Sequence, residues 1–515
     1  MIVLIHNGQK AISVTDRNTW KAIAVNARIL SEILIELAQK FSGRKLIWVH
    51  QEISELVDFN FIRSQKNAHT LLSFAVAHPY ILNEELGFVD QSVFLTVNQA
   101  VCYPTYLMSA DVGCITSNTL LHFASHIPAY SDFNLFLAVL AKLGMPKGLL
   151  CYSEPRLIQS KGNNVELRFS KNQKFTYSFI AATKSKAWLL LYEFQRLIYT
   201  KSISPFYLLK ALGQKQINTS SIQYLPKTVW STFKNTIRLS IDVVIPTIGR
   251  KAVLYQTLRD LAAQSVTPKT VLLVEQNPDS GTFSELDYLQ TENWPFEIKH
   301  TFTHKTGACN ARNLALGQIT SEWVFLADDD LRISSDFLET ALQFIEQTKP
   351  EAFTVSCLQK DEQEHVKSVI QWEAFGSGCS FVKASVVRKI RFDTAFEYGF
   401  GEDADFGMQL RNSGVDVLYN PFLKLIHLKA PSGGFRTQLK KPWEYEEIQP
   451  KPVPTVLAFF LKHKIDSQIL GYKTLLFLKF YKNQSVRNPF SYLRQMQKRW
   501  SLSKSWAEKL LSEKQ

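Results

Sequence analysis

The chain has 515 residues, 45% of them hydrophobic and 20% charged, a composition typical of folded globular proteins. This length exceeds one ordinary core and predicts two to four domains. The six cysteines lack CxxC or zinc-like spacing, which argues against a disulfide or structural-zinc framework and indicates a reducing, cytoplasmic compartment. No apolar run reaches the ~20 residues that cross a bilayer, and the amino terminus does not resemble a signal peptide, so we expect no membrane-spanning segment.

Much of the formal net charge of +13 lies in two stretches, Lys184–Lys215 and Lys462–Lys504. Both mix lysine and arginine with aromatic and aliphatic residues. This pattern is typical of basic helices packed on a domain by their apolar faces, or of a surface that contacts anionic lipid. No nucleic-acid recognition motif accompanies the charge, so we expect no nucleic-acid partner.

The predicted elements become regular after a polar linker near residues 216–240. Ile241–Ile245 is a short β-branched strand that Pro246 should stop, and Lys251–Ser265 has helical spacing. A second buried strand follows at Thr270–Asn277. "PFEIKHTFTH" is a third strand, "ACNARNLALGQI" a helix and "EWVFLADDD" a fourth strand. Strands that alternate with helices predict a mostly parallel sheet.

Polar side chains cluster where these strands end. Thr247 and Arg250 follow the first strand, Glu275 and Asn277 the second, and three consecutive aspartates, 328–330, the fourth. Ligands of parallel sheets bind at the carboxyl ends of the strands. Adjacent carboxylates repel each other, so the aspartates predict a bound Mg²⁺ or Mn²⁺, although an acidic turn that binds nothing has the same appearance.

These motifs occur in the order of a known family. The segments "DVVIPTIGR", "VEQN", "TGACNARNLAL", "FLADDD", "GSGCSFVKASV", "FGEDADFGMQLRNSG" and "LIHL" resemble the family 2 glycosyltransferases, nucleotide-sugar enzymes of the GT-A fold. The resemblance covers about 190 residues, from Ile241 to about Arg436. It implies a Rossmann-like, mostly parallel α/β catalytic domain at 240–440, followed by a basic amphipathic helical tail at 441–515.

The resemblance also implies roles for individual residues. Asp330, Asp328 and His427 would hold Mn²⁺ or Mg²⁺. Asp403 would be the general base and Glu402 would position the acceptor. The loop "KAPSGGFR" after His427 would close over the diphosphate. The residues implied to bind the nucleotide sugar are Pro246, Thr247, Arg250, Glu275, Asn277, Gly307, Arg312, Asn313, Asp328, Asp329 and Gly378.

The implied reaction moves a sugar from a nucleotide diphosphate sugar, most commonly a uridine one, to an acceptor hydroxyl with inversion. The acceptor would be a glycan or a lipid-linked molecule in polysaccharide or glycoconjugate biosynthesis. The basic tail would give peripheral contact with the inner face of a membrane, and an oligomer is compatible with the sequence. Two alternatives stay open: an inactive sugar- or nucleotide-binding scaffold, and a nucleotidyltransferase, which "PTIGRKAV" fits poorly.

The amino-terminal half repeats parts of the second half in the same order. The matched pairs are "HQEISELVDF" with "DDDLRISSDF", "GCITSNTLL" with "GCSFVKASVV", and "LFLAVLAKLG" with "DFGMQLRNSG". We expect residues 1–155 to be a truncated, degenerate GT-A-like unit without catalysis, joined through a basic helical segment and linker at 156–239. His50, Gln51 and Glu52 take the place of the aspartates, and Asp132–Phe133 that of Glu402–Asp403. Chance similarity of generic α/β segments is the alternative.

Overall fold

The computed structural model describes residues 1–76, 84–159, 173–226, 239–397, 399–429 and 441–513. The chain forms two compact units. Unit 1 is Met1–Pro226 with Lys464–Phe480, and unit 2 is Lys227–His463 with Tyr481–Gln515. This division differs from the four expected segments, because the helices of 156–239 belong to unit 1 and the tail 441–515 contributes to both units.

Unit 1 is a mixed α/β structure. Its strands are β1 (Ile2–His6), β2 (Ala11–Asp16), β3 (Lys21–Ala22), β4 (Lys45–His50), β5 (Thr70–Phe74), β6 (Tyr103–Pro104), β7 (Val112–Thr116) and β8 (Leu150–Ser153). Its helices are α1 (Leu30–Lys40), α2 (Phe59–Ser64), α3 (Ser117–Ala124), α4 (Phe133–Gly144), α5 (Gln173–Thr183), α6 (Lys186–Tyr199) and α7 (Pro205–Leu212).

Unit 2 is also α/β, with larger parallel strands. These strands are β9 (Ile241–Ile248), β10 (Thr270–Gln276), β11 (Glu297–Thr303), β12 (Trp323–Ala327), β13 (Leu331–Arg332), β14 (Ala352–Leu358), β15 (Ile370–Gln371), β16 (Cys379–Lys383) and β17 (Val417–His427). The helices up to the carboxyl terminus are α8 (Lys251–Ala262), α9 (Tyr288–Thr291), α10 (Ala308–Leu316), α11 (Phe337–Thr348), α12 (Ala384–Val387), α13 (Glu402–Asn412), α14 (Pro454–His463), α15 (Asp466–Tyr481) and α16 (Pro489–Ser512), of which α15 lies almost entirely in unit 1.

The sheet of unit 2 has the order β11-β10-β9-β12-β16-β14-β17-β13. The first four strands run parallel, and β16 is antiparallel to both β12 and β14. The carboxyl ends of β9, β10 and β12 therefore meet at one edge, as the polar strand ends predict. The expected α/β fold of residues 240–440 is confirmed for the described part of that range.

Pro246 does not end the first strand of unit 2, contrary to expectation. β9 continues to Ile248 and pairs with β10 throughout, with Pro246 opposite Val274. Pairing with β12 stops at Val244. Beyond that point β9 has a single strand neighbour, so a residue without an N–H donor is tolerated as on a sheet edge.

The sheet of unit 1 has the order β3-β2-β1-β4-β7-β5-β8-β6. From β1 onward, each pairing has the same direction as in unit 2: β1 and β4 are parallel, β7 is antiparallel to β4 and β5, and β5 and β8 are parallel. The two sheets differ at both ends. On the other side of β1, an antiparallel hairpin, β2–β3, stands in place of the parallel β10 and β11. The last strand of unit 1 is β6, which follows β5 in the chain, whereas the last strand of unit 2 is β13, which precedes β14. Five strands between these ends share one order and one set of directions.

Candidate active site

The three aspartates of unit 2 point in different directions from the end of β12. The carboxylate of Asp329 is 3% exposed and accepts hydrogen bonds from Thr247 Oγ1 at 2.6 Å and Arg250 Nη1 at 2.7 Å. Burial raises the pKa of Asp329 to about 6, although its two hydrogen-bond partners act in the opposite direction. Asp329 thus ties the end of β9 to the end of β12, and both of its oxygens are engaged by protein groups.

Asp328 and Asp330 converge with a histidine from β17. His427 Nε2 lies 3.1 Å from Asp330 Oδ1, and one ligand atom each from Asp328, Asp330 and His427 lie within 4.8 Å of one another. β13, which follows the aspartates, pairs antiparallel with the end of β17, with Leu331 opposite His427. Two carboxylates and an imidazole are a donor set suited to Mn²⁺ or Mg²⁺ with substrate phosphates. These residues therefore fit the divalent cation that the sequence implies.

Gly378 allows the loop before β16 to approach Asp328 closely. The Asp328 N–H donates to Gly378 O at 3.3 Å. A Cβ atom on Gly378 would lie 2.1 Å from Asp328 Oδ2, far inside van der Waals contact. The absent side chain is what leaves room for this carboxylate, so Gly378 shapes the metal side of the site.

Arg312 on α10 is a buried cation among acids. Its Nη2 donates to Asp328 Oδ1 at 3.1 Å, and its guanidinium lies 5.5 Å from the ring centroid of Phe392. Nε and Nη1 are buried and meet no hydrogen-bond partner among the described residues. A buried donor without a partner costs about 1–3 kcal/mol, so these two atoms indicate a place where an anionic ligand would bind.

Glu402 and Asp403 begin α13, and both carboxyl groups act electrostatically on Arg312. The Ser377 N–H donates to Asp403 Oδ1 at 3.2 Å. Burial raises the pKa of Asp403, while Arg312 and Ser377 lower it. Burial also raises the pKa of Glu402 to about 7, and the charge of Asp403 adds to this rise. The two carboxyl groups therefore sit in an environment that favours a proton on one of them near neutral pH.

A network behind α13 fixes this helix, and the sequence motifs did not reveal it. Asp405 is fully buried. Its Oδ1 lies 2.5 Å from Lys462 Nζ and 2.7 Å from His463 Nε2, and both of these residues are on α14. Lys462 also contacts Asp393 at 2.6 Å. Asp405 lies in the first turn of α13 and holds this helix through partners about 60 residues later in the chain, which spacing alone cannot reveal.

The residues expected to bind the nucleotide sugar include several at the ends of β9 and β10. Glu275 Oε2 lies 2.9 Å from His300 Nε2 on β11. Burial acts to raise the pKa of Glu275, but hydrogen bonds from His300 and Ser284 hold it below the usual value. Asn277 is in an exposed turn, where its Oδ1 accepts the Asp279 N–H. The ionised Glu275 and its partner His300 thus form a polar pair on the neighbouring strands β10 and β11.

Two residues expected near the nucleotide have partners within the protein. Asn313 donates from Nδ2 to Phe392 O at 2.8 Å and accepts the Phe392 N–H at 2.9 Å. Gly307 precedes α10 with φ 138°, and its N–H donates to Gln276 Oε1. A Cβ on Gly307 would lie 2.3 Å from Glu397, whose carboxylate accepts the Cys309 and Asn310 N–H groups. Sequence reasoning missed Glu397 because its partners lie almost 90 residues away.

Unit 1 has contacts that correspond to those around the acids of unit 2, made by different residues. The His50 N–H donates to Asp111 O as Asp328 donates to Gly378, so an aspartate replaces the glycine. The Ala110 N–H donates to Asn134 Oδ1 at 2.7 Å, the contact that Ser377 makes with Asp403. The expected alignments therefore shift: Asn134, rather than Phe133, takes the place of Asp403, and Asp111, rather than Gly113, that of Gly378.

The histidines of unit 1 are engaged in its own structure. His6 is buried, its Nε2 lies 2.9 Å from Ala110 O, and burial lowers its pKa to about 4. His50 Nδ1 accepts the Glu52 N–H, and the side chain of Glu52 is exposed. Within the described ranges, a group of His, Cys, Asp and Glu with metal-ligand spacing is found at Asp328, Asp330 and His427 and not in unit 1.

The loop after His427 was predicted to close over the diphosphate, and its residues 430–440 lie outside the described residues. Among the described helices, none combines the length and the apolar composition needed to cross a membrane.

Comparison with known proteins matches part of unit 2 to a family. Residues 242–395 match the family model "Glycosyl transferase family 2". A curated relative from Campylobacter jejuni subsp. jejuni serotype O:2, a GalNAc(5)-diNAcBac-PP-undecaprenol beta-1,3-glucosyltransferase, is 23% identical over 197 residues, which cover 35% of this chain. The match spans 63% of the relative's length.

Solved structures similar to parts of the chain include S. aureus TarS and GalNAc-T7. S. aureus TarS 1-349 in complex with UDP-GlcNAc is 17% identical, covers 49% of this chain and 75% of its own, and has a TM-score of 0.34. GalNAc-T7 with UDP, GalNAc and Mn²⁺ is 11% identical, covers 48% and 57%, and has a TM-score of 0.35. The motif order, the strand-end acids and the family match agree on one identification: residues 242–395 form a glycosyl transferase family 2 domain.

Proposed function

We propose that this protein is a metal-dependent, inverting glycosyltransferase that uses a nucleotide diphosphate sugar, with uridine as the nucleoside. The observation that carries the proposal is the position of Arg312. Its buried guanidinium contacts Asp328 of the Asp328–Asp330–His427 cluster and acts electrostatically on Asp403, and two of its nitrogens have no hydrogen-bond partner among the described residues. An anionic donor placed against Arg312 would lie between a cation site and a base.

The donor side and the acceptor side then follow from the two halves of the site. Glu275 and Asn277 at the end of β10 would meet the nucleoside, because they lie at the same sheet edge as Asp328. A divalent cation bound by Asp328, Asp330 and His427 would offset the negative charge that grows on the departing diphosphate. Arg312 would add a second, fixed positive charge without reorganisation.

Asp403 is proposed as the general base. As the acceptor oxygen bonds to the anomeric carbon, its proton passes to Asp403, the bond from that carbon to the diphosphate breaks, and the nucleoside diphosphate leaves. Displacement from the face opposite the leaving group inverts the anomeric configuration. Glu402, with a pKa near 7, would hold the acceptor hydroxyl by a hydrogen bond next to this base.

The acceptor class is proposed from the curated relative, whose name describes an undecaprenol-linked substrate. A lipid-linked glycan is therefore the first acceptor to test, in glycoconjugate or polysaccharide biosynthesis at the cytoplasmic face of a membrane. Unit 1 is proposed to be non-catalytic, because Asn134 replaces the base and the β2–β3 hairpin replaces the strands that carry the donor-side residues.

The decisive experiment measures nucleoside diphosphate release from a panel of UDP and other nucleotide sugars, with Mn²⁺ or with EDTA. We expect Mn²⁺-dependent release from at least one donor, and its loss in Asp330→Asn. Glu508→Gln is the matched control, because Glu508 on α16 is 59% exposed and its salt bridge is with Lys504 at 3.6 Å. Nucleotide binding by thermal shift without release from any donor would instead favour the inactive scaffold.

A further inference from the structure

The helices α6 and α7 of unit 1 present an apolar face to solvent. The exposed residues of this α6–α7 face are Leu190 (54%), Phe194 (46%), Leu197 (52%), Ile198 (38%), Ile203 (59%), Phe206 (71%) and Leu209 (69%). Large apolar side chains scattered singly on a surface need no explanation. Seven within a 20-residue stretch form a patch, and such patches mark interaction sites.

The helical spacing shows that this face is separate from the packing face. Leu190, Phe194, Leu197 and Ile198 recur at intervals of four, three and one, which places them on one side of α6. The buried residues of α6 are Leu189, Tyr192, Gln195 and Arg196. α6 therefore packs on unit 1 by one side and exposes a separate apolar side.

Positive charge surrounds the apolar residues. Lys186, Lys201, Lys210 and Lys215 are all exposed. Glu193 is the one acidic residue in 184–215, and its carboxylate accepts hydrogen bonds from the Tyr177 hydroxyl and the Ser204 N–H. The face thus combines exposed lysines with exposed apolar side chains, and the same stretch has no exposed carboxylate.

This chemistry distinguishes among possible occupants. Association of two identical copies about a two-fold axis places the same patch on both sides, so lysines would oppose lysines. An anionic lipid surface supplies the opposite charge to the lysines and an acyl boundary to the leucines and phenylalanines. We propose that the α6–α7 face binds the surface of an anionic lipid bilayer, without crossing it.

The test is co-sedimentation of the full-length protein with lipid vesicles, with no sugar donor present. Vesicles of phosphatidylcholine with 30% phosphatidylglycerol should bind the protein, and pure phosphatidylcholine vesicles should bind it at least tenfold more weakly. Raising the salt concentration from 0.1 to 0.5 M should release much of the bound protein, because screening weakens the lysine contribution. Binding that is equal for both lipid mixtures would overturn the proposal.

Two variants address the two components of the face. Phe206→Ser with Leu209→Ser removes the two most exposed apolar side chains, and Lys201→Glu with Lys210→Glu reverses two charges. Each should weaken binding to the anionic vesicles at least tenfold. Trp20→Ser is the matched control: Trp20 is 74% exposed on unit 1, in the turn between β2 and β3, outside the face, and the change should leave binding intact.

A light-scattering measurement of molar mass separates lipid binding from self-association. We expect the same mass for wild type and Phe206→Ser/Leu209→Ser. If the wild type is a dimer that these substitutions convert to a monomer, the face is a self-association interface and the lipid proposal fails. Because vesicle binding is measured without turnover, its failure leaves the proposed glycosyltransferase activity untouched.

Discussion

Replacement of Gly378 by alanine tests the site through a single methyl group. The added Cβ would lie 2.1 Å from Asp328 Oδ2, 2.4 Å from Cγ and 2.8 Å from Oδ1. Ordinary contact begins near 3.4 Å, so the carboxylate has to move by more than 1 Å. Asp328 is 34% exposed, and its carboxylate can rotate toward solvent, which spares the fold but moves a proposed metal ligand.

The size of the effect follows from that displacement. A 1 Å misplacement of a reacting or positioning group costs about 10²-fold in rate. The same rotation would break the 3.1 Å contact between Asp328 and Arg312, the fixed positive charge of the proposed mechanism. We therefore expect kcat/KM to fall about 100-fold or more in Gly378→Ala, equivalent to about 2.7 kcal/mol of transition-state stabilisation.

The assay is donor turnover as a function of Mn²⁺ concentration, with Tm measured in parallel. Gly378→Ala should need more Mn²⁺ for half-maximal activity while its Tm stays within a few degrees of wild type. Gly317→Ala is the control, because its Cβ would meet its nearest atom at 3.5 Å, an ordinary contact. Wild-type turnover and Mn²⁺ dependence in Gly378→Ala would refute the placement of Asp328 at the metal.

Four other substitutions test separate parts of the site. Asp403→Asn should lower transfer about 10²–10⁴-fold with unchanged nucleotide binding by thermal shift, and wild-type transfer would remove it as the base. His427→Ala should raise the Mn²⁺ concentration for half-maximal donor turnover at least tenfold; an unchanged requirement would exclude it as a ligand. Burial raises the folded-state pKa of Glu402 to about 7, above its unfolded value of 4.5. The free energy of unfolding should therefore fall as the pH rises between these two values. Glu402→Gln should abolish this fall in urea titrations at pH 5 and pH 8. Lys462→Met removes a partner of buried Asp405 and should cost about 3 kcal/mol. His463 and Lys462 hold the Asp405 pKa below its usual value against burial, so this deficit should be present at pH 7 and shrink below about pH 4; a constant deficit would contradict the ion pair.

The chain itself offers a comparison between two units with corresponding contacts. Asn134 has the same neighbour contact as Asp403, and Asp111 has the same backbone contact as Gly378. The Asn134 amide cannot accept a proton, and the Asp111 carboxylate accepts the Val76 N–H. These two differences support the proposal that unit 1 is non-catalytic.

The order of the motifs was enough to predict the α/β fold of unit 2. A short β-branched run such as Ile241–Ile245, followed by helical spacing, can form few structures other than a strand and its crossover helix. Residues at the carboxyl ends of neighbouring parallel strands, such as Thr247 and Asp329, must meet at one edge. The family and the convergence of Asp328 with Asp330 were therefore accessible from local pattern and chain order.

Tertiary structure alone decided which side chains meet across long distances. Asp329 accepts a hydrogen bond from Arg250. Asn313 donates to the backbone of Phe392, and Lys462 forms an ion pair with Asp405, because the packing of α10, α13 and α14 brings these residues together. Local sequence describes the preference of a residue for an element, not its neighbour in another element. For the same reason the register of unit 1 could be read only from its hydrogen bonds, and it placed Asn134 where Asp403 stands in unit 2.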